Sequence, residues 1–252
     1  MSRIFIINVG SNASHNFCSP IFSDRTFEFI PIPEDRQIDP IYGRSYKDLK
    51  SFYDPSQDLL KYIPQKIYDI TAHMDPEFDS FTYGDNCEIN PRASALKQTM
   101  RGDFLLYISR LQKWDDGAYK NDFGFYFIGY IHVNKIVKSI NEPLGNIDME
   151  RFAINAHVRR AMSSIDLWDK FWLFAGSSWS KRFNRAVPVT KELCDTVFLS
   201  SAGHKWKWSD KRTDLQVIGS YTRTIRSVMD SSNEFDKLRY DILWDWINKN
   251  CS

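Results

Sequence analysis

Asp75, Asp79 and Asp85 fall within eleven residues of one another, with His73 just upstream. Carboxylates so grouped offer hard oxygen ligands that suit Mg²⁺ or Mn²⁺, and two of them could flank a reacting phosphate. The spacing matches neither an EF-hand loop nor a nuclease signature, and Asp75-Pro76 and Gly84-Asp85 are also ordinary turn dipeptides. A solvated acidic loop is therefore the competing reading. A second polar loop, Gly10 to Asn16, follows the first apolar run and carries Asn12, Ser14 and His15. His15 is the candidate general base there, against the alternative of a solvated turn. Asp75, Asp79 and His15 are thus the catalytic candidates of an enzyme, either a base- or nucleotide-modifying transferase or a metal-dependent phosphoesterase, with Mg²⁺ as its candidate cofactor.

A different chemistry is written in the segment Ser177-Ser178-Trp179-Ser180-Lys181-Arg182-Phe183-Asn184-Arg185. Three hydroxyls, three cations and two aromatics sit in nine residues. Guanidinium groups grip phosphate bidentately, hydroxyls add neutral donors, and aromatic rings stack on bases. Ser177, Ser180, Lys181, Arg182 and Arg185 are the phosphate-binding candidates, joined by Arg159 and Arg160. Trp179 and Trp206 are candidates for stacking, and Asp103, Arg110 and Asn12 for contacts to the base. A basic surface loop that turns its aromatics inward is the plainer alternative, and Arg159 and Arg160 also suit the C-terminal end of a helix dipole.

Composition narrows the classes. The 252 residues carry 33 basic and 32 acidic side chains, so no whole-chain charge argument favours a polyanionic partner; residues 151 to 226, however, are basic where the first half is not. Aromatics reach 15%, with eight tryptophans, most of which a core would absorb. Cys18, Cys87, Cys194 and Cys251 show no Cys-x-x-Cys spacing, which argues against a zinc ribbon and for reduced thiols in a cytoplasmic protein. No apolar run approaches the roughly 20 residues that span a bilayer. The run Arg3 to Val9 reads as a first strand rather than a signal peptide. No nucleophile elbow, His-Glu-x-x-His motif or dinucleotide fingerprint is present.

The elements that must carry these residues follow from patterning. Arg101-Gly102-Asp103 opens an apolar strand through Arg110, with Asp103 ordering its start. Phe123 to Val133 is a second, aromatic-rich strand broken by single glycines, as in strongly bent barrel strands. Gln112 to Asp122 reads as the polar excursion between them. Phe27 to Pro33 alternates strictly and reads as an edge strand. The Pro- and Tyr-rich stretch to Asp58 reads as irregular. Helix signals cover Asn90 to Lys97, Ile147 to Met162, Thr190 to Cys194, Tyr221 to Met229 and Glu234 to Lys249, the last with Phe235, Leu238, Ile242 and Trp246 on one stripe. Phe171 to Gly176 reads as a buried strand that empties into a Ser177–Arg182 loop. One domain, 1–252, is expected, strand-rich with long loops first and helix-rich and basic–aromatic from residue 147.

Several short segments together resemble one known family. They are Ser19-Pro20-Ile21, Phe29-Ile30-Pro31-Ile32-Pro33-Glu34, Asp75-Pro76, Arg101 to Tyr107, Phe127 to Val133, Trp172 to Ser177 and Ala186 to Thr190. The chain is similar to the third family of nucleotide modification associated domains, found with DNA base-modification systems of phages, bacteria and archaea. The Gly-Asp and Ile-Gly strands separately resemble PUA, ASCH and EVE barrels, which bind RNA or modified bases in a pocket. The resemblance implies an α+β fold with a mixed, strongly bent or barrel-like, PUA-like central sheet surrounded by helices. It implies nucleic acid or a nucleotide as partner and supplies no established reaction. Asn8-Val9-Gly10-Ser11-Asn12 departs from the family, where a more basic segment is expected. The leading expectation is a protein that recognises a modified base and its phosphates; the enzyme named above and a scaffold subunit with a basic face are its rivals.

Overall fold

The computed structural model describes residues 2–11, 15–91, 93–199, 203–204 and 228–252. Its spine is a hairpin of two long strands, β6 (Phe104–Asp115) and β7 (Ala118–Ile140). Asp116 and Gly117 link them, both at positive φ, the backbone that a tight two-residue hairpin turn requires and that Asp-Gly supplies cheaply. The expected excursion from Gln112 to Asp122 is therefore mostly strand, because its polar residues face solvent on a continuing ladder.

Strand β1 (Arg3–Asn8) lies parallel to β6, with Ile4 opposite Phe104. Ile4, Phe5, Ile6 and Ile7 are all buried, so β1 is apolar on both faces, as a central strand must be. β2 (Ser19–Ile21) continues along the same edge of β6. Along the far edge of β7 run β9 (Lys181–Pro188) on its first half and β8 (Phe171–Gly176) on its second. Register shifts beside Gly129 and Asn134 let β7 serve both. Gly129 is needed there, since a Cβ would meet the Lys181 carbonyl oxygen at 2.6 Å. β5 (Thr82–Asp85) extends the sheet beyond β8, and β10 (Val228–Asp230) pairs antiparallel with β1 at the other end. Among the described residues this path, β10-β1-β6-β7-β8-β5, stays open: no closed barrel forms. β3 (Ile32–Pro33) and β4 (Ala72–His73) make a separate pair.

Side chains of alternate parity feed two cores. Phe5, Ile7, Leu105, Tyr107 and Ile131 pack on one face with Phe174. Ile4, Ile6, Leu106 and Ile108 pack on the other against α3 (Lys191–Val197) and α4 (Glu234–Asn250). α1 (Asn146–Phe152) and α2 (Ala156–Ser163) cover β8 through Phe152 and Val158.

Several expectations change. Of Phe27 to Pro33 only Ile32–Pro33 is a strand, because Phe27, Phe29 and Ile30 turn into the cores instead of alternating along an edge. The helix expected from Ile147 to Met162 is two helices. Asn155 ends the first stretch and caps the second by accepting from His157 N at 3.0 Å. Lys181, Arg182 and Arg185 sit in strand β9, not in a loop. Ser94–Gln98 is a short 3-10 turn. Thr190 caps α3 as expected, accepting from Leu193 N. In α4 the buried line is Arg239, Leu243 and Ile247, while Phe235 and Leu238 are exposed; Arg239 takes the inward place by donating to the Val197 and Leu199 carbonyls. Val228 and Met229 belong to β10, and residues 221–227 of the expected helix lie outside the described residues.

Candidate functional site

The C-terminal end of β1, the β3–β4 pair, β5 and α2 enclose a cavity of about 530 Å³. Each wall brings chemistry. Pairing of Ile32 with His73 sets Glu34 beside the imidazole, and His73 Nδ1 lies 2.7 Å from Glu34 Oε2. Asp75 follows two residues later, and both its oxygens take the Gly84 N–H at 3.1 Å. Strand β5 points Tyr83 and Asp85 together, with the Tyr83 hydroxyl donating to Asp85 Oδ2 at 3.0 Å. From α2, His157 places Nε2 at 3.5 Å from Asp75 Oδ2, and its ring meets that of His73 edge-on at 4.8 Å. Arg160, one turn on, holds Asp169 at 3.2 Å and reaches Glu34 at 4.0 Å.

Gly84 is what admits His157. A Cβ at position 84 would lie 2.4 Å from His157 Cδ2, so only glycine lets the helix ring pack onto the strand backbone. Gly10, at positive φ, ends β1 where a Cβ would meet the Phe29 ring at 2.9 Å.

Burial perturbs the acids and bases in this cavity. It pushes the Asp75 carboxyl well above its ordinary range against the Gly84 N–H, and the charges of Asp85 and Glu77 push the same way. Burial also raises Asp85, outweighing its bonds from Tyr83 and Asn86. It drives His157 well below the usual imidazole range, helped by His73 and Arg160. In Glu34 burial is outweighed by the His73 bond and the charges of His73 and Arg160, so its carboxyl is held low. Such shifts, concentrated in one concave site, make this cavity the candidate functional site.

The residues singled out from sequence divide. His15, Asp75 and Arg160 line the cavity together with His73 and Asp85. Asp79 does not: it is exposed, with its N–H on Glu77. Arg159 lies in a smaller recess that shares Glu34 with the cavity. The basic–aromatic segment is elsewhere. Arg182 is buried, its guanidinium 3.5 Å from the Phe52 ring centre and donating to the Phe27 carbonyl at 2.9 Å. Arg185 donates to the Ser252 carbonyl, and Lys181 reaches Cys251 Sγ at 3.7 Å. Ser180 is buried and accepts the His132 N–H, and Ser177 Oγ sits 2.7 Å from His132 Nδ1. Trp179 is 70% exposed and stacks on His132. Asp103 does order its strand, accepting from Met100 N and from the backbone and guanidinium of Arg3. Arg110 lies over Phe123 at 3.8 Å. Asn12 and Trp206 lie outside the described residues.

Glu34, Asn86 and His157 escaped the sequence reading. The available signal was scarcity: the chain has five histidines, and His15, His73 and His157 all line this cavity. Comparison with curated proteins finds no match, and comparison with solved structures finds none either. A family model does match, over residues 3–235, nearly the whole chain. The chain belongs to the family of nucleotide modification associated domain 3, and its role is accordingly one associated with nucleotide modification.

Proposed function

We propose that the protein is an enzyme acting on the base of a nucleotide held in the cavity between β1, β5 and α2. The observation that supports this most is the convergence of buried, perturbed acids and bases on a space of about 530 Å³, within the size range of small-molecule sites. Asn8, Asn86 and Asn90 line it beside Asp35 and Asp85. Amides and carboxylates together offer donors and acceptors to the polar edge of a base. Among the described residues four carboxylates line the cavity, and the one guanidinium there, Arg160, is engaged by Asp169 and Glu34, so a bare phosphate is disfavoured inside. The phosphate then stays at the rim, where Arg44 and Arg159 line the adjoining recess. This assigns the base a pocket at the margin of a bent sheet, the part of the PUA-like expectation that the reading keeps.

One observation favours a second reading. Trp179, exposed and stacked on His132, is a ready platform for an unpaired base, with Lys181 nearby in sequence. Titration with deoxynucleosides, 5′-monophosphates and single- and double-stranded oligonucleotides separates the two, using Asn86→Leu for the cavity and Trp179→Ala for the platform. Mass analysis of the recovered nucleotide reads turnover. The enzyme reading expects binding of a nucleoside or monophosphate that Asn86→Leu loses and Trp179→Ala keeps, with a mass change in the product. Salt-sensitive oligonucleotide binding that only Trp179→Ala loses would overturn it in favour of surface recognition.

A further inference from the structure

We propose that His73, Asp75 and His157 form a binding site for one divalent transition-metal ion of the Zn²⁺ or Fe²⁺ class, with its open coordination positions facing the cavity. The inference rests on the cavity being the functional site and adds the cofactor class.

The three side chains each offer a ligand atom within 4.8 Å of the other two. They converge without satisfying one another. His157 Nε2 and Asp75 Oδ2 stand 3.5 Å apart, whereas two ligands each about 2.1 Å from a tetrahedral ion lie roughly 3.4 Å from each other. Asp75 is buried, and among the described residues its two oxygens are held by the Gly84 N–H alone, so a bound cation would stabilise its carboxylate form.

The outer arrangement points the same way. Glu34 sits on His73 Nδ1, which leaves Nε2 as that ring's ligand atom. A carboxylate on the far nitrogen of a metal-binding histidine fixes its tautomer and orientation. Arg160 in turn secures Glu34. The donor set selects the ion. Two imidazoles and one carboxylate suit Zn²⁺ or Fe²⁺, whereas Mg²⁺ prefers oxygen ligands and retained water. This differs from the Mg²⁺ suggested by the aspartates, because Asp79 is exposed outside the cavity lining and two histidines join Asp75 instead. Three protein ligands leave room for a water or substrate atom, the mark of a catalytic site.

The test is equilibrium dialysis of the metal-stripped protein against Zn²⁺, Co²⁺ and Mg²⁺, with the visible spectrum of the Co²⁺ form as a second readout. One equivalent of Zn²⁺ and a Co²⁺ ligand-field band are expected, with no tight Mg²⁺. His73→Ala and His157→Gln should abolish both signals. Glu34→Gln, a positioning change, should weaken Zn²⁺ by roughly 10–100-fold while leaving circular dichroism unchanged. If a histidine variant fails to fold, Glu34→Gln and Asp75→Asn carry the test alone. No stoichiometric Zn²⁺, or Zn²⁺ binding indifferent to these substitutions, overturns the metal site. Nucleoside binding measured on the chelated protein keeps the two conclusions separate. If it persists while Zn²⁺ fails, only the metal site falls; if Zn²⁺ binds and no nucleotide does, only the nucleotide reading falls.

Discussion

Gly84→Ala is a substitution of one methyl group whose effect is set by a single contact. The added Cβ would sit 2.4 Å from His157 Cδ2, 2.8 Å from Cγ and 3.2 Å from Cβ, against the 3.5–4.0 Å of ordinary carbon contacts. The gap to be opened is over an ångström, and the obstacle is a buried ring, not the end of a flexible side chain. Gly84 carries no positive φ, so backbone strain adds nothing and the whole effect is packing. Overpacking of this kind costs about 1–3 kcal/mol. For a chain of this size that lowers the melting temperature by roughly 2–12 °C. Because the helix must retreat from β5, His157 also leaves Asp75. Thermal melts of the parent, Gly84→Ala, His157→Ala and the double variant form a cycle. Removing the ring makes room for the methyl, so the double variant should be more stable than the sum of the singles by at least about 1 kcal/mol. Additive effects, or a Gly84→Ala protein as stable as the parent, would refute the packing of α2 on β5 and with it the placement of His157.

Other outcomes follow from the same contacts. Arg182→Ala, which strips a guanidinium from between Phe27 and Phe52 and leaves the Phe27 carbonyl without its donor, should lower unfolding free energy by about 2–4 kcal/mol in denaturant titration. Asp103→Ala should cost about 2–3 kcal/mol, somewhat below the loss of a fully buried pair because Arg3 keeps some access to water. Burial holds the Cys18 and Cys87 thiols above their ordinary range, and all four cysteines are buried as thiols outside any disulfide; thiol reagents should therefore leave the native protein unmodified even at pH 9 and count four thiols in denaturant. Asp230 is held below its ordinary range first by the Ser232 hydroxyl and then by the Ser232 N–H. A depressed carboxyl contributes stability that is present above the unfolded value near 3.9 and is lost as pH falls through the folded one. The melting-temperature gap between parent and Asp230→Asn should accordingly narrow from about pH 4 downward.

The sequence revealed what short-range physics decides. The central strand β1, the Thr190 cap and the apolar middles of the two long strands were legible because each is written in a few adjacent residues; the polar hairpin end from Gln112 to Asp122 was not. The helix break at Asn155 was not, since capping by its side chain competes with a helical pattern that runs on through Met162. Arg182 read as a phosphate ligand because its neighbours in sequence are polar, while the rings that enclose it, Phe27 and Phe52, are more than a hundred residues away. The candidate site shows the same division. Asp75 and His15 were visible as residues with useful chemistry; their meeting with Glu34 and His157 depends on β3–β4 pairing and on the seat that Gly84 provides. Only long-range packing brings those together.

Whether the cavity holds both metal and nucleotide is read from a crystal structure of the protein grown with Zn²⁺ and a deoxynucleoside 5′-monophosphate. An anomalous zinc peak is expected between His73, Asp75 and His157, with base density against Asn86 and Asp85 and the phosphate toward Arg159. A nucleotide seated on Trp179 and His132, with the cavity holding only solvent, would contradict that expectation.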